Sequence, residues 1–258
     1  MPRFAANTSF LFTEQPFLER FEAARRAGFG AVEFHFPYAF SPADVASAAK
    51  RAATPVVLFN LPAGNWEQGE RGIACHPDRV GEFREGVARA IAYARALECP
   101  RVNCLAGIAP AEADRDRISA TFVDNLRHAA DALAAEGLEL VIEPLNTRSI
   151  PGFYLSTSAH ALDVIRGVGA RNLKMQYDIF HMQIMEGNLA ATIESALLQI
   201  GHIQFADVPD RHEPGTGEVN FDFLFDRIDR LGYDGWIGAE YIPGRHTSDT
   251  LGWLENYL

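Results

Sequence analysis

The strongest constraint on how this chain can fold is an alternation that runs its whole length. Short β-rich runs recur at about Phe4–Ser9, Ala31–Phe36, Val56–Leu61, Arg101–Leu105, Leu138–Leu145, Leu173–Asp178, His202–Asp207 and Trp236–Tyr241. Amphipathic stretches lie between them. Phe17–Ala27 ends in Gly28, Arg79–Leu97 sets Val80, Phe83, Val87, Ile91 and Ala94 at helical spacing, and Ile118–Glu136 ends in Gly137. Ala159–Gly167, Leu189–Leu198 and Phe221–Leu231 follow. Gly30, Gly137, Gly201 and Gly235 each precede a strand, as helix-to-strand turns require.

No Ser-, Pro- or Gly-rich linker interrupts the series, and the chain has 258 residues, close to the roughly 250 of one closed β/α barrel. The predicted fold class is α/β, a single (β/α)8 TIM barrel, with residues 1–258 forming one domain. An open doubly wound sheet is the alternative. It calls for G-x-G-x-x-G after a strand, whereas GFGAVEF is the sole early glycine cluster and lacks that order, so no nucleotide cofactor is expected.

Composition narrows the class further. The net charge of −11 argues against a sequence-independent grip on nucleic acid or anionic lipid, though local arginines can still hold a small anion. Cys75, Cys99 and Cys104 are odd in number and form no C-x-x-C, which points to reduced thiols. No run approaches the roughly 18 apolar residues of a membrane span, and the N-terminus lacks a basic region followed by an apolar stretch. The expectation is a cytoplasmic protein with no nucleic-acid and no membrane partner. Surplus apolar residues on the helices are compatible with a homo-oligomer.

In such a barrel the active site lies where the strands end. The run LELVIEPLN sets Glu143 directly after Val141–Ile142 and before Pro144. An ionised carboxylate closing a buried strand costs several kcal/mol unless it is paired or holds a cation. The pattern recurs: strand six closes on Asp178, strand seven near Gln204 and strand eight on Glu240, at intervals of 35, 26 and 36 residues, about one β–α unit each. Any one could be a surface residue, a structural ion pair or, for Gln204, a hydrogen-bonded core amide. Together they bring three carboxylates and an amide oxygen to one rim, a set that suits a divalent metal ion such as Mg²⁺ or Mn²⁺.

Other residues gather around these ends. His181, three residues after Asp178, faces the same side of the rim if a helical turn follows the strand. His35 shares a strand face with Glu33, while His202, two residues before Gln204, is expected a layer deeper as packing. Arg211, in the loop ADVPDRHEPGTGEVNF, and Arg71, beside Trp66 in the long loop NLPAGNWEQGERGIA, are candidates for a substrate carboxylate.

The set Glu143, Asp178 with His181, Gln204 and Glu240 resembles the metal and acid/base constellation of xylose-isomerase-like barrels. FAANTSFLFTE, VEFHFPY, NLPAGNWEQGERGIAC, IEPLN, IPGFYL, QYDIFHMQIMEG, EPGTGEVNF and GWIGAEY, from the first strand to the last, resemble the hydroxypyruvate isomerase family within them. That resemblance implies a barrel in which Glu143 and Glu240 exchange protons with the substrate, and Glu143, Asp178, Gln204 and Glu240 surround the metal. The strand-seven ligand is histidine in the related epimerases, and the arginine beyond it stands one residue nearer than Arg211 does here.

The implied reaction is the isomerisation of a small hydroxy/oxo acid, hydroxypyruvate to 2-hydroxy-3-oxopropanoate, through an enediolate. His181, Arg211, Arg71 and His35 would bind the substrate. A 2-oxo-tetronate isomerase is the nearest rival, and a ketose 3-epimerase is disfavoured by Gln204. An abasic-site endonuclease would need more histidine ligands and a basic groove. A non-catalytic binder would have little use for two facing glutamates. Which glutamate takes the first proton stays open at this level.

Overall fold

Eight parallel strands close in chain order: β1 (Arg3–Asn7), β2 (Ala31–Glu33), β3 (Val56–Asn60), β4 (Arg101–Cys104), β5 (Glu139–Ile142), β6 (Leu173–Asp178), β7 (Ile200–Phe205) and β8 (Trp236–Ala239), with β8 pairing back onto β1. The computed structural model describes residues 1–258. The outer ring is α1 (Arg20–Arg26), α2 (Pro42–Ala52), α3 (Val80–Leu97), α4 (Arg115–Ala134), α5 (Ser158–Val168), α6 (Ile179–Met185), α7 (Leu189–Ala196) and α8 (Phe221–Arg230). The expected single (β/α)8 TIM barrel is therefore present, and no helix is long and apolar enough to cross a membrane.

Two helices lie where none was expected. α2 is capped by the Ser41 hydroxyl, which accepts from the Asp44 amide, with Pro42 in its first turn. It buries Val45, Ala48, Ala49 and Ala52, residues too small to make a strong apolar stripe in the sequence. α6 begins at Asp178, whose Oδ1 accepts from the Phe180 amide at 2.8 Å. Strands β5 and β8 also stop earlier than expected. Pro144 has no N–H to continue the ladder, so β5 ends at Ile142 and Glu143 stands one residue beyond it, while Glu240 stands one residue beyond β8.

The space between barrel and helices is apolar and aromatic. Phe4 on β1 meets Phe225 of α8 at 4.9 Å and Trp253 of the C-terminal turns at 5.0 Å, edge to face, and Phe205 on β7 joins the cluster. Each such pair adds about 0.5–1.5 kcal/mol beyond its buried area. Inside the barrel the picture reverses. Asn7, Glu33, Asn103, Gln176, His202 and Gln204 are all buried there, where barrels of this kind are more often filled by branched aliphatic residues. Buried polar side chains need partners: Gln204 bonds Glu33 and Gln176, His202 meets Glu33, Asn7 donates to Glu33 and Glu240, and Asn103 donates to Glu143.

Candidate active site

Glu143, Asp178, Gln204 and Glu240 are all buried at the C-terminal ends of β5 to β8. Glu143 Oε2 accepts from Asn103 Nδ2 at 2.9 Å. Asp178 stands opposite Gln204 in the β6–β7 register, and its Oδ2 has no hydrogen-bond partner. The nearest groups to that oxygen are His181 Nε2 at 3.5 Å and Arg211 Nη2 at 3.7 Å. A buried, unpartnered carboxylate oxygen is costly. The ligand atoms of Glu143, Asp178 and His181 lie within 4.8 Å of one another, so the cluster could hold a metal ion.

The charges divide the acids into two kinds. Burial, reinforced by repulsion from Glu240 and Asp178, raises Glu143 well above the usual carboxylate range. Burial pushes Asp178 up to about 7 against the pull of Arg211. Burial acts on Glu240 in the same direction, but Arg211 and His35 outweigh it and hold this carboxyl at about 2. The contacts explain the difference. Glu240 Oε2 lies 2.5 Å from Arg211 Nη2, and its Oε1 takes His35 Nε2 at 2.6 Å and Asn7 Nδ2 at 2.8 Å.

His181 is fixed in one tautomer. Its Nδ1 lies 3.1 Å from the backbone amide of Asn146, and an amide N–H can only donate, so Nδ1 is the bare nitrogen. The proton therefore sits on Nε2, which faces Asp178. Burial, with Arg211 nearby, lowers this imidazole well below its ordinary value, so the ring is neutral. A neutral Nε2–H donor is better suited to a substrate oxygen than to a cation.

Arg211 is sandwiched between Phe10 and Phe180, its guanidinium carbon 5.0 and 4.9 Å from the two ring centres. The loop that carries it is pinned by Asp207, whose carboxylate accepts from the amides of Val208, Gly215, Gly217 and Val219 and whose carbonyl accepts from the Arg211 amide. Arg71 lies 4.0 Å over the Trp66 ring and donates to the carbonyls of Trp66 and Glu70. It belongs to none of the ion pairs, so its charge has no acidic partner. Together these groups line a cavity of about 220 Å³ bounded by Glu143, His181, Arg211, Glu240, His35 and Arg71. That is below the roughly 300–1,000 Å³ of sites for drug-sized molecules and matches a small metabolite.

Six of the eight residues singled out in the sequence thus line one cavity, and Asp178 lies against its His181 and Arg211. Gln204 sits lower. Its Nε2 donates to Glu33 Oε1 at 2.6 Å and its Oε1 accepts from Gln176. Four participants escaped sequence reading, namely Asn7, Asn103, Asn146 and Gln176. Asn7 and Asn103 were findable by the strand-end rule that found the acids, since each closes or nearly closes its strand.

Comparison with known proteins agrees with this geometry. The family model described as xylose isomerase-like TIM barrel matches residues 21–257. The hydroxypyruvate isomerase of Escherichia coli is 50% identical over 257 residues, covering 100% of both chains. The 2-oxo-tetronate isomerase of Cupriavidus necator is 47% identical over 258 residues, covering 100% of this chain and 99% of its own. A crystal structure from Brucella melitensis named AP endonuclease, family 2 superposes with a TM-score of 0.97 at 45% identity, covering 100% of this chain and 99% of that one. The chain belongs to the xylose isomerase-like TIM barrel family.

Proposed function

We propose that the protein isomerises hydroxypyruvate to 2-hydroxy-3-oxopropanoate, with Glu240 and Glu143 as the acid/base pair and residues 1–258 acting as one domain. It is an isomerase of small oxo-hydroxy acids, as its full-length relatives are named. The observation that carries the mechanism is the pair of glutamates at one small cavity, with surroundings that drive their protonation apart.

Glu240, held ionised by Arg211 and His35, takes a proton from C3 of the substrate. The electron pair left on C3 forms the C2–C3 double bond of an enediolate, and the C2 oxygen takes up the charge. A proton returns to C2 from Glu240, or from Glu143 where burial keeps it protonated in the absence of a cation, and the C3 hydroxyl proton moves to the C2 oxygen, so the aldehyde forms at C3. His181 Nε2–H and Arg211 donate toward the oxygen that gains charge. As Arg211 turns to the substrate, Glu240 loses part of the field that keeps it a weak base. Arg71, lacking an acidic partner, binds the substrate carboxylate, and Trp66 holds its guanidinium plane in place. The unpartnered Asp178 Oδ2 and the oxygen-rich donor set suit Mg²⁺ or Mn²⁺, with Glu143, Asp178, Gln204 and Glu240 as its ligands. Such an ion would polarise the substrate carbonyl and offset the charge of the acids.

The 2-oxo-tetronate reading is supported by the relative of that name at 47% identity and needs only a longer acid in the same cavity. The net charge of −11 and the small cavity favour a small acid over a DNA strand, and the buried cysteines suit a cytoplasmic enzyme. Turnover of three- to six-carbon oxo acids and ketoses, with deuterium uptake from D₂O, tests the assignment. Glu143→Gln and Glu240→Gln should each lower turnover of the preferred acid by at least about a hundredfold. Parent-level turnover in either variant refutes the two-carboxylate mechanism.

A further inference from the structure

Beneath the catalytic rim lies a buried carboxylate that the mechanism does not use. Glu33 on β2 is fully enclosed. Its Oε2 lies 2.6 Å from His202 Nε2, and its Oε1 accepts from Gln204 Nε2 at 2.6 Å and from Asn7 Nδ2 at 3.1 Å. Space for it is made on β8 by Gly238, where a Cβ would come within 2.4 Å of both carboxylate oxygens. Such a site is built for this side chain. It costs burial of a charge, so it calls for a role.

The contacts define that role. An amide has two ends of nearly equal size, one a donor and one an acceptor, and rotating it by half a turn exchanges them. A strand-seven glutamine can serve as a cation ligand only through its oxygen. Glu33 Oε1 accepts from Asn7 and Oε2 faces His202, so Glu33 offers the Gln204 amide an acceptor and the Gln204 NH₂ points down at it. Gln176 Nε2 meets the remaining end and is compatible only with an oxygen there. Asn7 is handled the same way. Its Oδ1 accepts from the Ser9 amide, so its NH₂ faces the two acids and links Glu33 to Glu240.

We propose that Glu33 is a positioning residue for the cation site: opposite Gln176, it turns the Gln204 amide so that the oxygen, and not the nitrogen, faces away from it, and the lone pair that Gln176 leaves free can act as a ligand. This rests on the reading of Gln204 as a ligand given above. It also explains how a glutamine can occupy this position, since a carboxylate there has two equivalent oxygens and would not need its ends told apart.

The test is Mn²⁺ titrated into chelator-treated full-length protein, followed by water-proton relaxation, for the parent, Glu33→Gln and the exchanged pair Glu33→Gln/Gln204→Glu. Orienting partners of ligands typically contribute about 10–100-fold in metal affinity, so Glu33→Gln should weaken Mn²⁺ by that factor. The exchanged pair keeps one carboxylate and one amide, but its ligand at position 204 has two equivalent oxygens, so binding should return to within about threefold of the parent. A role in packing alone would not be rescued by this exchange. If Glu33→Gln fails to fold, the exchanged pair decides: parent-like Mn²⁺ binding supports the role, and a folded exchanged pair without it overturns the role. Glu33→Gln binding Mn²⁺ as the parent does overturns the positioning role and leaves the site intact. A parent that binds no Mn²⁺ overturns the ligand reading together with this one.

Discussion

Replacing Asp178 by asparagine should stabilise the metal-free protein while removing its activity. The folded environment raises this carboxyl from 3.8 to about 7, chiefly by burial. At about 1.4 kcal/mol per pH unit, ionised Asp178 costs the metal-free fold about 4 kcal/mol. The sign follows from linkage: a carboxyl whose folded value exceeds its unfolded one penalises the fold progressively from about pH 4 to about pH 7, and by a constant amount above. Asparagine removes the charge and keeps an oxygen for the Phe180 amide that Asp178 Oδ1 now caps. Its new NH₂ faces the place of the unpartnered Oδ2, a loss of about 1–3 kcal/mol. The net gain at about pH 8 is then about 2 kcal/mol, or roughly 4–8 °C in Tm for a chain of this size. At about pH 5 the charge penalty falls to about 1.6 kcal/mol and the advantage vanishes. Thermal unfolding of chelator-treated protein at both pH values is the assay. Adding Mn²⁺ at a hundred times its Kd should raise the parent by about 2.7 kcal/mol and leave the variant in place, reversing their order. A variant no more stable than the parent at pH 8, or an advantage that persists undiminished at pH 5, would refute the reasoning.

Arg71→Met keeps the stack on Trp66 but loses the charge, and a charge-assisted contact of about 1.5–3 kcal/mol should appear as a rise in KM of roughly 10–100-fold with kcat nearly unchanged. An equal fall in kcat would place Arg71 in the chemistry instead. Gly238→Ala drives a methyl into the Glu33 carboxylate. Overpacking of this kind costs about 1–3 kcal/mol, so Tm should fall and Mn²⁺ affinity with it, and unchanged Mn²⁺ binding would disconnect Glu33 from the rim.

The barrel was legible because its signal is repetition. Eight largely buried strands, seven of them followed by an α-helix, leave a pattern that survives errors of two or three residues at every boundary. The acids were legible for a related reason: Glu143 breaks the apolar run Leu140–Ile142 in a way that burial penalises, and Asp178 and Glu240 recur at the equivalent place, the end of a strand. Two kinds of feature escaped. Helix α2 buries Ala48, Ala49 and Ala52 rather than large side chains, so its apolar face is faint. The floor of the site is held by pairs such as Glu33 with His202, 169 residues apart, and Asn7 with Glu240, 233 apart. No local pattern encodes such a pairing. It exists only once β1, β2, β7 and β8 have closed the barrel.

That closure brings together more negative charge than the fold can neutralise with its own cations. Glu33, Glu143, Asp178 and Glu240 are enclosed in one neighbourhood. Arg211 is the permanent positive charge set against them at the rim, and the tautomer of His181 keeps that ring neutral. The protein resolves the imbalance by assigning each acid a different partner. Glu240 takes Arg211 and His35, Glu33 takes His202 and two amides, and at Glu143 and Asp178 burial outweighs the pull of Arg211, which favours their protonated forms. A divalent cation held by these two carboxylates would reverse that last choice, because their protons would have to leave for it to bind. The two acids on which burial prevails are therefore those a metal would suit best, and on the proposed reading Glu240, held ionised by Arg211 and His35, is the carboxylate that accepts the substrate's proton.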